Sequence, residues 1–214
     1  MMKITWHGHS CVLVEGTKKI LFDPFLTGNP RAVIKPGDLR QIDYIFITHE
    51  HHDHLGDAVE IAKANGSCIV ALHEIAVSCL EQGARTEGMN VGGTLDFGGV
   101  RVNMVMAVHS GAATGMIIEM DGKTIYHAGD TALFSDMGLY AGFFKIDLAF
   151  LPIGDRYTMG PKSAAKAVEL LKTPRVIPIH YGTFPLLTGK VEDFRKYVKN
   201  AEVIALSPGE SFEL

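Results

Sequence analysis

The seven residues Thr48-His49-Glu50-His51-His52-Asp53-His54 carry more side chains able to grip a metal ion than any other stretch of this length in the chain. His49 and His51 are two positions apart. In extended backbone, alternate side chains leave on the same side, so both imidazoles can meet one cation. Asp53 and His54 follow where the chain turns into a helix and points them elsewhere, toward a second cation. A solvated turn gains nothing from such a run unless metal is bound. The further donors that a two-metal centre needs are sought at strand ends, where His109, Asp130 and His180 each precede a Ser, Thr or Tyr. Taken singly, a histidine at a strand end is ordinarily a surface or hydrogen-bonded residue. Three such residues beside a metal-gripping loop favour ligation.

The loop needs rigid neighbours. Residues 43–47 form an apolar, β-branched run that reads as a buried strand. Residues 55–63 carry apolar side chains at 55, 58, 59 and 62, a helical spacing. Upstream, strands are expected over 2–6, 11–14 and 19–22, with a turn at 15–18 and a stop at Asp23-Pro24. Residues 26–41 read as a long functional loop. Downstream, a strand at 68–71 and a helix at 74–82 are followed by glycine-punctuated strands that end in residues 100–108. Asp121-Gly122 marks a hairpin joining 115–120 to 123–127. Helices are expected at 132–140, 161–171 and 191–198, and strands at 147–151, 175–179 and 202–206. A weak internal echo is visible. Each of two hairpins leads to an aspartate, Asp23 or Asp130, and is followed by Ile-Asp and an apolar strand, at Ile42-Asp43 and Ile146-Asp147. Two related halves of this kind, packed sheet on sheet, give an α/β (α+β) four-layer αββα sandwich in a single domain, residues 1–214. Loops from both halves then meet on one edge.

Composition narrows the function. The chain has 214 residues, 47% of them hydrophobic, and a formal net charge of −4. No Lys/Arg cluster offers a footprint for nucleic acid. No apolar run approaches the ~18 residues of a membrane span, and the first residues lack a secretory apolar region. Three cysteines, Cys11, Cys68 and Cys79, form no Cys-x-x-Cys pair and suit a reduced cytosol. Oligomerisation stays open, with Phe143-Phe144 as interface or core.

His49-x-His51-x-Asp53-His54, followed by His109, Asp130 in Ala-Gly-Asp-Thr, and His180, resembles the metallo-β-lactamase superfamily. Asp23 in Leu-Phe-Asp-Pro is similar to that superfamily's first motif. Gly8-His9-Ser10 and residues 178–185 resemble a branch of small metal-dependent hydrolases related to L-ascorbate-6-phosphate lactonase. The resemblance implies the metallo-β-lactamase fold and a cytoplasmic, dinuclear metal-dependent hydrolase. One metal would be held by His49, His51 and His109. The other would be held by Asp53, His54 and His180, with Asp130 bridging. Asp23 would stand behind the ligands and accept a ring N–H, or else cap a strand-end turn. A metal-bridging hydroxide would attack a small ester, lactone or phosphate-bearing substrate. The cluster's residual positive charge suits an anionic one. Five imidazoles favour Zn2+, and the carboxylates leave Mn2+ or Fe2+ open.

Other residues keep two readings. His9, in the Gly8-His9-Ser10 turn, lines the site as a catalytic group or stays outside it. Tyr181 donates to a leaving group or packs. Arg156, in the substrate-wall loop 155–160, meets an anionic substrate or is a surface charge. His52 is a spacer, His73 begins a helix, His127 packs or caps, and His7 has no assigned role. The competing activities are a di-iron oxidoreductase, disfavoured because His51 stands where that type carries Glu, and a metal-dependent nuclease or phosphodiesterase, disfavoured by the acidic balance. A non-catalytic metal protein is disfavoured because structural zinc sites are closed and mononuclear.

Overall fold

The computed structural model covers residues 1–214. In chain order the elements are β1 (Lys3–Trp6), β2 (Val12–Glu15), β3 (Lys19–Phe22), β4 (Tyr44–Phe46), α1 (His52–Leu55), α2 (Ala58–Asn65), β5 (Cys68–Leu72), α3 (His73–Glu81) and β6 (Arg85–Met89). Then come β7 (Thr94–Asp96), β8 (Val100–Met106), β9 (Thr114–Met120), β10 (Lys123–His127), α4 (Met137–Phe143), β11 (Leu148–Pro152), α5 (Pro161–Leu171), β12 (Arg175–Ile179), α6 (Val191–Tyr197), β13 (Glu202–Val203) and β14 (Ser211–Glu213).

Two seven-stranded sheets form, ordered β14-β1-β2-β3-β4-β5-β6 and β13-β12-β11-β10-β9-β8-β7. In each, antiparallel pairing gives way to parallel pairing after the hairpin, at β3–β4 and at β10–β11. Trp6, Phe22, Phe46, Phe150 and Ile179 belong to the apolar layer between the sheets. A second core joins one sheet to α4, α5 and α6. A third joins the other sheet to α2 and α3. The result is the metallo-β-lactamase fold, helix–sheet–sheet–helix. No helix is long and apolar enough to cross a membrane.

The repeat has a physical job in each half. Asp43 Oδ2 accepts from Lys19 N–H at 2.9 Å, and Asp43 N–H donates to Lys19 O at 3.0 Å. Asp147 does the same with Thr124, at 2.9 and 2.8 Å. Each aspartate therefore pins the start of a parallel strand to its hairpin. The echo holds less well further on. Asp23 N–H donates to Phe46 O, and the equivalent bond to Phe150 O comes from Ala128. Asp130 thus lies two residues beyond the equivalent of Asp23.

Several boundaries differ from the sequence reading. The helix expected over 55–63 is two short helices, broken at Gly56, where φ is +41° and a Cβ would lie 2.5 Å from Pro24 O. The helix expected at 132–140 begins only at Met137, because residues 131–134 run as non-helical chain in which Ala132 N–H donates to Val108 O. The strand at 202–206 shrinks to Glu202–Val203. The edge strands β6 and β14 carry polar, alternating sequences without a compact apolar run and were not expected. Phe144 packs into the α4–α6 core, whereas Phe143 is 82% exposed.

If Asp43 and Asp147 are equivalent pins, Asp43→Ala and Asp147→Ala each cost about 1–2 kcal/mol. At this size that is a melting-temperature drop of about 2–4 °C per kcal/mol. Urea denaturation of both variants checks it, and a midpoint unchanged in either contradicts the assignment.

Candidate metal centre

Four segments bring the predicted residues to one edge. The turn after β4 carries His49 and His51, and α1 carries Asp53 and His54. The loops after β8, β10 and β12 bring His109, Asp130 and His180. Two backbone carbonyls tie the halves together here. Thr48 O accepts from Thr114 N–H and Oγ1–H, at 2.9 and 2.8 Å. His9 O accepts from His180 N–H at 2.9 Å.

The donor atoms form three overlapping groups, each within 4.8 Å: His49/His51/His109, His49/His54/Asp130, and His9/Asp53/His54/His180. His49 Nε2 lies 2.9 Å from His51 Nδ1. Asp130 stands between the outer groups. Its Oδ2 is 3.1 Å from His180 Nε2 and 3.6 Å from His109 Nε2, and its Oδ1 is 3.3 Å from His54 Nε2. His180 Nε2 is 3.8 Å from Asp53 Oδ2.

Buried partners set which ring nitrogens are free. Asp23 has no exposed surface, and its carboxylate accepts Thr48 N–H at 2.8 Å, Thr48 Oγ1–H at 2.7 Å and His54 Nδ1–H at 2.8 Å. Thr48 Oγ1 can then accept His49 Nδ1–H at 3.0 Å. Carboxylates only accept, so each ring carries a proton on Nδ1, and whenever His49 or His54 is neutral its lone pair sits on Nε2, facing the cluster. His54 Nε2, His180 Nε2 and Asp130 Oδ1 are buried, and although Asp130 lies 3.3 and 3.1 Å from the two rings, these contacts are out of line for a hydrogen bond. An orphaned buried polar atom is costly. Three facing one another, drawn from borderline imidazole and hard carboxylate, suit a divalent cation. The residues present therefore fit a metal.

Electrostatics agree with a tightly coupled cluster. Burial lowers His54, but Asp130 and Asp23 outweigh it and hold the ring well above its ordinary range. Burial also opposes His180, which Asp130 nevertheless lifts to about 9. Burial works against the Asp130 charge, yet His54 and His180 keep it well below the usual carboxylate range. His49 is pushed down to about 3 and His9 to about 4, in both cases mainly by burial.

Backbone strain gathers here. His9, Asp23 and His180 have φ of +55°, +40° and +53°, left-handed values that cost a side chain-bearing residue roughly 1–3 kcal/mol. Gly111, at φ +71°, lies so close over the first group that a Cβ would meet His51 Nε2 at 2.8 Å.

The remaining histidines lie apart from the donors. His52 is exposed and His73 begins α3. His127 stacks on Phe22 at 4.7 Å and bonds Ser10 O and Gly129 N–H, a packed residue. His7 is buried with both ring nitrogens unpartnered. Tyr181 stacks on Trp6 at 5.3 Å and borders both the inter-sheet and the helix-side cores. Arg156 sits 5.5 Å over the Tyr157 ring. The sequence reading overlooked Thr48, Thr114, Thr183 and Gly111. Thr48, directly before the first histidine, and Thr183, within the 178–185 motif, each had a signal.

Replacing Asp23 by Asn removes the charge and turns an amide N–H toward donors. The expected cost is about 3–5 kcal/mol, as for breaking a buried ion pair, while Thr48→Ser, which keeps the hydroxyl, costs far less. Equilibrium unfolding measures both, and an Asp23→Asn variant as stable as its parent would show that the carboxylate does not organise the loop.

Known proteins resemble this chain over its whole length. The family profile described as "Beta-lactamase superfamily domain" matches residues 18–181. A UPF0173 metal-dependent hydrolase of Archaeoglobus fulgidus is 49% identical over 229 residues, covering 99% of each chain. Another from Pyrococcus abyssi is 50% identical over 226 residues, covering 100% of each. The solved structure of Igni18, a metallo hydrolase from Ignicoccus hospitalis, superposes with a TM-score of 0.93 at 37% identity, covering 100% of this chain and 99% of that one. The chain therefore belongs to the β-lactamase superfamily, among its UPF0173 metal-dependent hydrolases.

Proposed function

We propose that this metal-dependent hydrolase works with two divalent cations and opens a small ester, lactone or phosphate-bearing substrate in the cytosol. His49, His51 and His109 would hold one ion. Asp53, His54 and His180 would hold the other, and Asp130 would serve both. The observation that carries the reading is the set of buried, mutually facing atoms that make no aligned hydrogen bond: His54 Nε2, His180 Nε2 and Asp130 Oδ1. Bound cations supply Lewis acidity, which eases loss of a proton from water and stabilises charge developing on oxygen.

The chain's own groups do the rest. Asp53 and Asp130 offset only part of the charge of two divalent ions, so the cluster stays positive and favours an anionic substrate. Asp23 and Thr48 keep the His49 and His54 rings in one tautomer and one orientation. Five imidazoles favour Zn2+, with Mn2+ or Fe2+ as alternatives set by the two carboxylates. Three buried, unpaired cysteines suit a reducing compartment.

Elemental analysis after Zn2+ or Mn2+ loading is expected to find close to two ions per chain. Turnover of a panel of nitrophenyl esters, lactones and phosphodiesters is expected only in the loaded protein. Undiminished turnover after chelation and dialysis would defeat the proposal.

A further inference from the structure

The two-cation reading leaves one side chain of the cluster without a task. His9, in the loop between β1 and β2, has no exposed surface, and its ring converges with Asp53, His54 and His180. Nearness alone admits two roles: another metal ligand, or a group that holds a ligand still.

Hydrogen bonding separates them. The Nε2 atoms of His54 and His180 come within 3.3 and 3.1 Å of Asp130 but out of line for a hydrogen bond, whereas both His9 nitrogens are bonded. Nε2 lies 3.1 Å from Asp53 Oδ2 and Nδ1 lies 2.9 Å from Thr183 Oγ1. A carboxylate only accepts, so His9 Nε2 carries the proton, and a neutral ring then accepts at Nδ1 from the Thr183 hydroxyl. A nitrogen whose N–H points at a carboxylate has no lone pair to offer a cation.

The backbone is held for the same purpose. His9 sits at φ +55°. Its carbonyl accepts from the Trp6 indole Nε1–H at 2.9 Å and from His180 N–H at 2.9 Å. Gly8 precedes it at φ +97°, where a Cβ would press on Arg31 at 3.2 Å. His127 supplies the contrast. It is equally buried, yet its bonds go to the backbone, at Ser10 and Gly129. A merely packed histidine can be satisfied that way. His9 instead reaches a carboxylate whose side chain is 30% exposed.

We infer that His9 is a positioning residue: the chain Thr183 Oγ1–H to His9 Nδ1, then His9 Nε2–H to Asp53, fixes how the Asp53 carboxylate meets the ion shared with His54 and His180. The inference rests on the two-cation reading and deepens it. It assigns Thr183, which has no role otherwise, to the same site.

The test is Zn2+ titration of the metal-stripped full chain against a competing chelator, with Co2+ absorption as a second readout. Wild type is compared with His9→Asn, His9→Gln, Thr183→Val and Thr183→Ser. Asn tolerates left-handed φ, so the backbone can be kept. Gln restores an N–H at a reach similar to Nε2. Wild type is expected to bind two ions. His9→Asn is expected to weaken one of them about 10- to 100-fold, the usual cost of losing a group that orients a ligand, and to leave the other unchanged. His9→Gln is expected to recover most of the loss. Thr183→Val is expected to fall between, with Thr183→Ser close to wild type. The Co2+ spectrum keeps its nitrogen donors throughout.

Unchanged affinity for both ions in His9→Asn overturns the inference, as does equal weakening of both. Loss of a nitrogen donor from Co2+ in His9→Gln also overturns it, by making His9 a ligand. Should His9→Asn not fold, Thr183→Val carries the same comparison. Fewer than two ions in wild type defeats the two-cation reading itself, and the His9 role with it.

Discussion

A single negative charge sealed inside the protein sets the geometry of everything near it. Asp23 is fully buried, and burial by itself would discourage its ionisation, yet the neighbouring His54 ring and its hydrogen bond hold the carboxyl below its ordinary range. An unpaired charge at that depth would cost several kcal/mol. The three donors that compensate it come from Thr48 and His54, so the turn after β4 and the helix α1 can fold in one way only if Asp23 is to be satisfied. The same bonds choose the ring tautomers. One carboxylate therefore links the end of β3, the path of the loop and the chemical state of two imidazoles.

The two-sheet frame explains why residues separated by 131 positions, His49 to His180, share one small volume. Each half repeats the same pairing order, so each sheet presents the C-terminal ends of its parallel strands to the same edge. Asp43 and Asp147 fix the start of one parallel strand in each half. Packing of the inter-sheet layer, with Trp6, Phe22, Phe46 and Phe150 fully buried, fixes the distance between halves. At the far edge the hairpin tips are tied, since Thr17 donates to Asp121 through N–H and Oγ1–H at 2.9 and 2.7 Å. With both edges held, the left-handed backbone at His9, Asp23 and His180 can persist.

Much of this was legible in the residues. The alternation of His49 and His51, the apolar strand before them and the Asp-Gly hairpin follow from local chemistry, and local chemistry is what a sequence displays. The Ile-Asp repeat was visible too, although its meaning, two reciprocal backbone pins, depends on which strands pair. What stayed hidden depends on distant chain. Gly56 breaks its helix because Pro24 lies against it, 32 positions away. The strands β6 and β14 exist because a neighbouring edge offers hydrogen bonds, not because their own residues prefer extension. Thr48 and Thr183 are ordinary threonines until Asp23 and His9 appear beside them. Asp23 and Asp130 looked equivalent, yet Ala128 takes the position matching Asp23, and Gly129, at φ +59°, leads on to Asp130. A Cβ at Gly129 would lie 2.8 Å from the Thr48 side chain, so only glycine lets the chain pass the turn there.

The two donor groups also differ in depth, and the difference bears on how a reaction would run. In the His49/His51/His109 group only His49 is buried, and the glycine at 111 keeps bulk away from His51. In the other group His9, His54 and His180 are all buried, and only Asp53 reaches partial exposure. Phe25 and Phe184 both set their rings edge-on to His9 at 5.7 Å, which adds an apolar wall to the deeper side. Electrostatic interactions strengthen where water is excluded. A cation held on the deep side would be bound by fixed, desolvated groups and exchange slowly. One held on the shallow side would be open to water and substrate. Asp130 lies where the two environments meet, and a substrate oxygen arriving from solvent would approach it past the partly exposed Asp53.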